Sequence, residues 1–211
     1  MTSAHCSTRW GTKLRPTTIT ACLDTPVVGR IGPLDGPLAW AAAQEALRDG
    51  TPLEEITDDY APDMDLPLGR WEQDGFWGWR VSGPITEPTH HTSVEIRRRP
   101  AGGPMSYYTT DREHHTGLGP LKARNVTLAA TWYNTIHWHA DVTDRDTLRR
   151  LLSLVTHLGA RHRNGFGHVT SWEIADGPVD GWCTRPLPSD AGTMQRVRAP
   201  YWHSTERTIC A

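Results

Sequence analysis

The segment LRRLLSLVTHLGARHRNGFGHVTSWEI, residues 148–174, carries the clearest fold signals in this chain of 211 residues. Upstream, Thr143 and Asp146 have capping-box spacing, and Gly159 stands at the C′ position, so a helix is predicted between them. Residues 168–174 are predicted to form a closing strand, reached through the glycine-rich loop GARHRNGFG, residues 159–167. The apolar residues of the helix follow the i, i+3, i+4, i+7 spacing of an amphipathic helix: Leu148, Leu151, Leu152, Val155 and Leu158.

Outside this segment the sequence predicts a second helix and several strands. Residues 17–25 alternate apolar and polar side chains, as in a half-buried strand. Asp35 is the predicted N-cap of a helix through LAWAAAQEALR, residues 38–48. Further strands are predicted at 93–99 and at 126–140, and a hairpin turn at Asp74-Gly75.

The order strand, helix, strands, insertion, strand, helix, strand predicts an α+β fold of the ferredoxin-like or RRM-like class. Such a fold has an antiparallel sheet with helices on one face. We expect a domain over 17–177 after an N-terminal extension, 1–16, and a tail, 178–211, that lacks periodicity and packs on the domain. A long insertion near 100–124 is expected to be mobile and functional. Residues 51–66 are predicted to form an acidic loop.

Composition limits the class of protein. With 22 basic and 24 acidic residues the net charge is −2, which excludes a polycationic tail. The longest apolar run, residues 38–43, is far short of the roughly 20 residues of a membrane span. The first 16 residues have no apolar core of a secretory signal. Four cysteines without a CxxC pair fit a reducing compartment, so we expect a soluble cytoplasmic protein.

Charge is unevenly distributed along the chain. Residues 45–74 hold ten acidic and two basic side chains, whereas the basic clusters come later: Arg97 to Arg99, Arg161 with Arg163, and Arg196 with Arg198. Such a chain could contact a basic protein on its acidic segment and a polyanion elsewhere, or simply present two solvated faces. All but two of the basic residues are arginine, which suits phosphate binding and stacking, although codon bias would give the same composition.

The loop at 159–167 has the chemistry of an anion site. Its glycines let backbone amides approach a phosphate closely, and its arginines would neutralise the charge. It lacks the Gly-Lys-Ser/Thr of a nucleotide-binding P-loop, and no helix is predicted after it. A plain helix-to-strand connection rich in turn residues is the alternative interpretation.

Several stretches together resemble one known family. The helix–GARHRNGFGHV–strand ending resembles the glycine-rich loop of the RAMP superfamily, the RRM-fold subunits of CRISPR–Cas effector complexes. PLDGPLAWAAAQ, residues 33–44, is similar to the LDGLLA-type element of those proteins. RNVTLAATWYNTIHWHADV followed by LRRLLSLVTHLGARHRNGFG, with the tail TRPLP…RAPYWH, resembles the small RAMP subunit of type IV CRISPR–Cas systems. The resemblance covers about residues 17–202.

This resemblance implies a role and partners. The type IV subunit caps the 5′ handle of the CRISPR RNA, the role of the fifth Cas protein in type I systems. We therefore expect a non-catalytic RNA-binding subunit, without cofactor or metal, that docks against the repeated backbone subunit and the large subunit. It would reach target DNA through the assembled complex. The acidic segment 45–74 is the candidate protein-contact face.

The resemblance also implies RNA-binding residues. RAMP subunits hold the RNA backbone with the glycine loop and a hairpin or thumb insertion. Carried onto this chain, the loop supplies Gly159, Arg161, His162, Arg163, Asn164, Gly165, Phe166 and Gly167. The thumb candidates rest on position and chemistry, because arginines beside tyrosines can neutralise phosphates and stack on bases: Arg97, Arg98, Arg99, Tyr107, Tyr108, Lys122 and Arg124.

Other functions stay open at this point. Some RAMP relatives cut CRISPR RNA by acid–base catalysis with a histidine, and His157, His162 and His168 lie near the loop. A generic RRM-fold RNA-binding protein outside CRISPR biology is a third possibility. His137 and His139 share one strand face but lack a third ligand, so we expect a polar sheet face there rather than a metal site.

Overall fold

The computed structural model of the chain describes residues 14–98 and 124–211. The order of elements in the described chain confirms an α+β protein. In chain order the strands are β1 (Arg15–Leu23), β2 (Val27–Val28), β3 (Arg70–Gln73), β4 (Phe76–Trp79), β5 (Ile85–Arg98), β6 (Arg124–Val142), β7 (Val169–Asp176), β8 (Pro188–Arg196) and β9 (Arg207–Cys210). The helices are α1 (Asp35–Arg48), between β2 and β3, and α2 (Arg145–Leu154), between β6 and β7.

The main sheet is antiparallel and has β1 near its centre. β1 pairs with β6 on one side and with β7 on the other. β5 pairs with the opposite edge of β6, so the strand order is β7-β1-β6-β5. The two-residue β2 pairs with β6 beyond the end of β1. This arrangement is compatible with the expected ferredoxin-like fold.

Both helices pack on one face of this sheet. Ile19 of β1 lies opposite Trp138 of β6, and the two side chains are fully buried in the same cluster as Leu38 of α1 and Leu151 of α2. The alternation predicted at 126–140 is confirmed in its second half, where Ile136, Trp138 and Ala140 supply this buried face, whereas Val126 is 37% exposed. The opposite face is polar: Thr20 bonds to the ring of His137, and Thr18 to that of His139.

The ends of α2 differ from the prediction. The N-cap is Asp144 rather than Thr143, because the Asp144 carboxylate accepts the amides of Asp146 and Thr147. The helix ends at Leu154, since Val155 adopts an extended conformation and its carbonyl accepts the indole N–H of Trp172. Gly159 is therefore not the C′ residue, although Val155 and Leu158 remain buried after the helix ends.

Asp35 is likewise not a cap. Leu34 precedes α1 without a side-chain hydrogen bond, and Asp35 is the first helical residue, with no solvent exposure. The Tyr201 hydroxyl donates to both of its carboxylate oxygens, at 2.6 and 2.8 Å, and accepts from Arg185 at 3.0 Å. Burial raises the pKa of Asp35, while Arg185 and Tyr201 act in the opposite direction. The acid at the start of α1 thus binds the C-terminal tail.

The tail has regular structure that its sequence does not indicate. β8 and β9 pair with each other and lie beside a small cluster containing Trp71 and Trp182. Buried Arg185 donates to the carbonyl of Trp79 at 2.7 Å and to that of Val197. Residues 178–211 thus contact both α1 and the β3–β4 hairpin, whose turn is at Asp74-Gly75, as predicted.

The acidic loop predicted at 51–66 is confirmed. These residues form a loop with a bridge between Thr57 and Tyr60. Elsewhere in the described residues, Trp71, Trp79, Trp138 and Trp182 are buried, whereas Trp40 and Trp202 are exposed. In the described part of the chain, neither helix has the length and apolar character needed to cross a membrane. The insertion at 100–124 lies, up to residue 123, outside the described residues, as do residues 1–13.

Candidate nucleic-acid interface

The glycine-rich loop is exposed to solvent, and a backbone hydrogen bond joins its two ends. The Leu158 amide donates to the Gly167 carbonyl at 2.8 Å. A Cβ on Gly167 would lie 1.9 Å from the Leu158 carbonyl oxygen, so only glycine fits that position. Gly165 also has a positive φ, of 84°, but faces open space. Residues 162–164 form a short 3-10 helix between these turns.

The side chains that the sequence assigns to the loop are displayed to solvent. Arg161, His162, Arg163 and Asn164 are exposed, and Phe166 is half-buried. Within the described residues neither loop arginine forms an ion pair, so both guanidinium groups keep their full charge for an external anion. Arg161 itself has a positive φ, of 63°, in the left-handed region that glycine usually occupies.

The loop is fixed to the sheet through β2. The amide of Ala160 donates to the Val28 carbonyl at 2.7 Å. A Cβ on Gly159 would lie 2.6 Å from Val27 Cγ1, which shows how closely the two backbones approach. Val28 pairs in turn with Ala130 of β6. The loop therefore lies next to the point where β6 leaves the helix-covered part of the sheet.

Beyond that point β5 and β6 continue as a ribbon, residues 92–98 paired with 124–130. Most of its described side chains are exposed, and most of the others are partly exposed. Arg98 and Arg124 pair across its end. Arg97 donates to the Glu95 carboxylate at 2.7 Å, which offsets part of its charge. The other thumb candidates lie outside the described residues: Arg99, Tyr107, Tyr108 and Lys122.

Two features beside the loop escaped sequence analysis. Arg30 is exposed and follows Gly29, whose Cβ position is 3.3 Å from the Ala160 Cβ. The rings of His90 and Trp132 stack at the root of the ribbon, with centroids 5.6 Å apart and an interplanar angle of 19°. Alternation alone places Trp132 on the core face, and only the pairing of β5 with β6 reveals this aromatic pair.

Three histidines meet at the base of the loop. The His157 ring lies 5.2 Å from that of His168 and 6.3 Å from that of His162. His168 Nδ1 is 2.8 Å from an oxygen of Asp24. Burial lowers the pKa of His157, and the two neighbouring histidines lower it further. The lowered pKa favours the neutral form of His157, beside a chain segment that carries two exposed arginines.

The structure offers no metal site in its described residues. His137 bonds to Thr20 at 2.8 Å and to Thr135 at 3.2 Å, as expected for a polar sheet face. Burial, followed by the charge of His137, lowers the pKa of His139.

The third basic cluster is unavailable to a ligand. Arg196 and Arg198 are almost completely buried. Arg198 donates to Asp63 at 2.7 and 3.0 Å and to Glu206 at 2.6 Å, and Arg196 donates to Glu206 at 2.8 Å. Their charges are neutralised within the fold, so this cluster does not add to the exposed positive charge of the loop and Arg30.

Comparison with protein families agrees with the resemblance. A family model described as CRISPR type IV associated protein Csf3 matches residues 15–211, from the start of β1 to the last residue. No curated protein matches the chain. The match includes the glycine loop, the LDG element at the start of α1 and the tail that binds it. The chain therefore belongs to the family of the CRISPR type IV associated protein Csf3.

Proposed function

We propose that this protein binds the 5′ handle of the CRISPR RNA within a type IV effector complex and has no catalytic activity. Family membership implies a place in such a complex. In this proposal the protein contacts the backbone subunit and the large subunit as well as the RNA handle. It reaches target DNA through the assembled complex and acts in the cytoplasm. A generic RNA-binding role outside CRISPR systems finds no support in that membership.

One observation supports the proposal: the glycine-rich loop lies beside the β5–β6 ribbon, whose far end leads into the insertion that contains the thumb candidates. β2 contacts the loop through Ala160 and the ribbon root through Ala130. The surface combines unpaired arginines with an aromatic stack, the two features that bind single-stranded RNA by phosphate neutralisation and base stacking. Arg161 and Arg163 are its best-defined cations, because the backbone around them is pinned at both ends of the loop.

The test is a salt titration of RNA binding. Binding of labelled handle RNA is followed by fluorescence anisotropy over a series of salt concentrations, with the full chain and a scrambled RNA for comparison. Arg161→Ala with Arg163→Ala should lower the affinity and reduce the log–log salt slope by about 0.7 per lost phosphate contact, or about 1.4 for two. Arg48→Ala removes an exposed cation at the end of α1 and should leave the slope unchanged. An unaltered slope in the double variant would refute the loop assignment.

The histidine cluster favours one second candidate, a metal-independent endoribonuclease. A lowered pKa favours the neutral form of His157, which could accept a proton, and exposed His162 could donate one. Incubation of repeat RNA with the protein in the presence of a chelator decides between the two functions. Binding without cleavage supports the handle-binding subunit. Specific cleavage that is lost in His162→Ala would establish the nuclease instead.

A further inference from the structure

A second exposed surface lies where the acidic loop meets the C-terminal tail. We define it by Ile56, Asp58, Asp59, Tyr60 and Trp202, and call it the acidic–aromatic surface. About 150 residues of sequence separate its two parts, yet the His203 ring donates from Nε2 to the carbonyl of Thr57 at 2.7 Å. The Ser204 hydroxyl donates to the carbonyl of Asp58 at 3.2 Å. The tail thus holds the acidic loop in place.

The turn that presents the two aspartates is well defined. The Thr57 amide donates to the Tyr60 carbonyl at 2.9 Å, which closes the turn over Asp58 and Asp59. His203, which anchors it, is only 2% exposed, and its Nδ1 accepts the amide of Thr205. Because the turn is ordered before a partner arrives, little conformational entropy is lost on binding.

The apolar members of this surface are unusually exposed. The exposed fraction is 68% for Trp202, 49% for Tyr60 and 45% for Ile56. The Trp202 ring lies 5.6 Å from that of His203, so it stands directly beside the anchored turn. Tryptophan and tyrosine are the residues most enriched among the energetic centres of protein–protein interfaces, so these side chains are suited to a protein contact.

The charge of the surface decides what kind of partner fits. Asp58, Asp59 and Glu55 are exposed and form no ion pair with another described residue. Arg207 lies beside this surface but donates to the carbonyls of Trp202 and His203, at 3.2 and 3.0 Å, rather than to the carboxylates. A cluster of carboxylates repels RNA phosphates but attracts a basic protein surface.

We propose that the acidic–aromatic surface docks a neighbouring protein subunit that presents arginine or lysine side chains around an apolar side chain. Such cations would pair with Asp58 and Asp59, and one of them could stack on the Trp202 indole. This inference rests on the proposed function, because it assumes that the protein works inside a multi-subunit complex. It assigns RNA and protein to separate surfaces of one chain.

The experiment measures the two activities separately. Biolayer interferometry records binding of the full chain to the purified backbone subunit and to the purified large subunit of its complex, and anisotropy records handle RNA binding. Trp202→Ala, and separately Asp58→Arg with Asp59→Arg, should weaken binding to one of the subunits by at least about tenfold. The RNA affinity should stay within about twofold of the unaltered protein, because no cation of the loop is touched.

Matched controls use exposed residues elsewhere. Val179→Ala removes an apolar side chain that is 77% exposed, and Asp190→Arg reverses a solvated charge. Neither should change subunit binding. Normal subunit binding by both surface variants would overturn the inference and leave the proposed function intact. The same holds if the unaltered protein forms a dimer that only these variants abolish, because the surface would then bind a second copy of this chain. Failure of the unaltered protein to bind handle RNA and both subunits would overturn the proposed function, and with it this inference.

Discussion

Removing one hydroxyl group should show that the C-terminal tail is part of the stable fold. In Tyr201→Phe the Asp35 carboxylate loses the donor that lies 2.6 and 2.8 Å from its two oxygens. Arg185 loses one acceptor but keeps the carbonyls of Trp79 and Val197. The ring itself is retained, so little packing is lost. The change therefore isolates a polar contact between the tail and the first residue of α1.

The expected loss follows from leaving a buried carboxylate short of a partner. An unsatisfied buried acceptor costs about 1–3 kcal/mol, and a charged one lies at the upper end, so we expect about 2–3 kcal/mol. For a chain of this size that corresponds to a fall in Tm of roughly 4–12 °C. The hydrogen bond from Tyr201 lowers the pKa of Asp35, so its removal raises that pKa further. The destabilisation should therefore shrink as pH falls toward 4 and the carboxyl becomes neutral.

Thermal and urea unfolding, followed by circular dichroism at pH 7 and at lower pH, measures both effects. Tyr60→Phe is the control, because it removes the hydroxyl of an exposed tyrosine that bonds only to exposed Glu54. We expect a change below about 0.5 kcal/mol for it. A loss of the same size for Tyr201→Phe at pH 7 would contradict the structural role given to the buried contact.

Two further outcomes are expected from the loop and its base. Gly165 has a positive φ but faces open space, so Gly165→Ala should lower the free energy of unfolding by only about 1–2 kcal/mol. Gly167→Ala should lower it by at least about 4 kcal/mol, because its Cβ would clash with the Leu158 carbonyl. Equal urea midpoints for the two variants would contradict this contrast. Because burial and the neighbouring His168 lower the pKa of His157, the unfolded chain binds more protons at this residue than the folded chain does below about pH 6.5, and His157 alone contributes a loss of stability as the pH falls. The free energy of unfolding contributed by His157 should accordingly fall between pH 7 and pH 5. In denaturant titrations, His157→Gln should make the free energy of unfolding depend less steeply on pH. An unchanged pH dependence in this variant would contradict the prediction.

Local sequence patterns predicted most of the elements correctly. The alternation at 126–140, the Asp74-Gly75 turn and the spacing of leucines in α2 each depend on neighbours in the chain, so they can be read without the fold. Helix ends were harder, because several residues near each end could serve as caps. Asp144 replaced Thr143, and α2 stopped at Leu154, since a distant tryptophan bonds to the next carbonyl.

The tail shows where local patterns fail. β8 and β9 have little alternation, and the tail that contains them is held by contacts with segments more than 100 residues away, such as Arg185 with Trp79. Asp35 has the spacing of a cap, but its partner is Tyr201. No local pattern predicts such pairs. The same holds for the acidic–aromatic surface, whose aspartates and tryptophan come together only through His203.

The glycine loop, its cations and the family resemblance can be identified from the sequence alone, because glycine spacing and residue chemistry are local properties of the chain. Which arginines are free to meet an external anion depends on the fold. Arg161 with Arg163 and Arg196 with Arg198 have the same spacing. The first pair lies on an exposed loop without carboxylates to neutralise it, whereas the second is buried against Asp63 and Glu206. Burial and counter-charge depend on which distant segments the fold brings together.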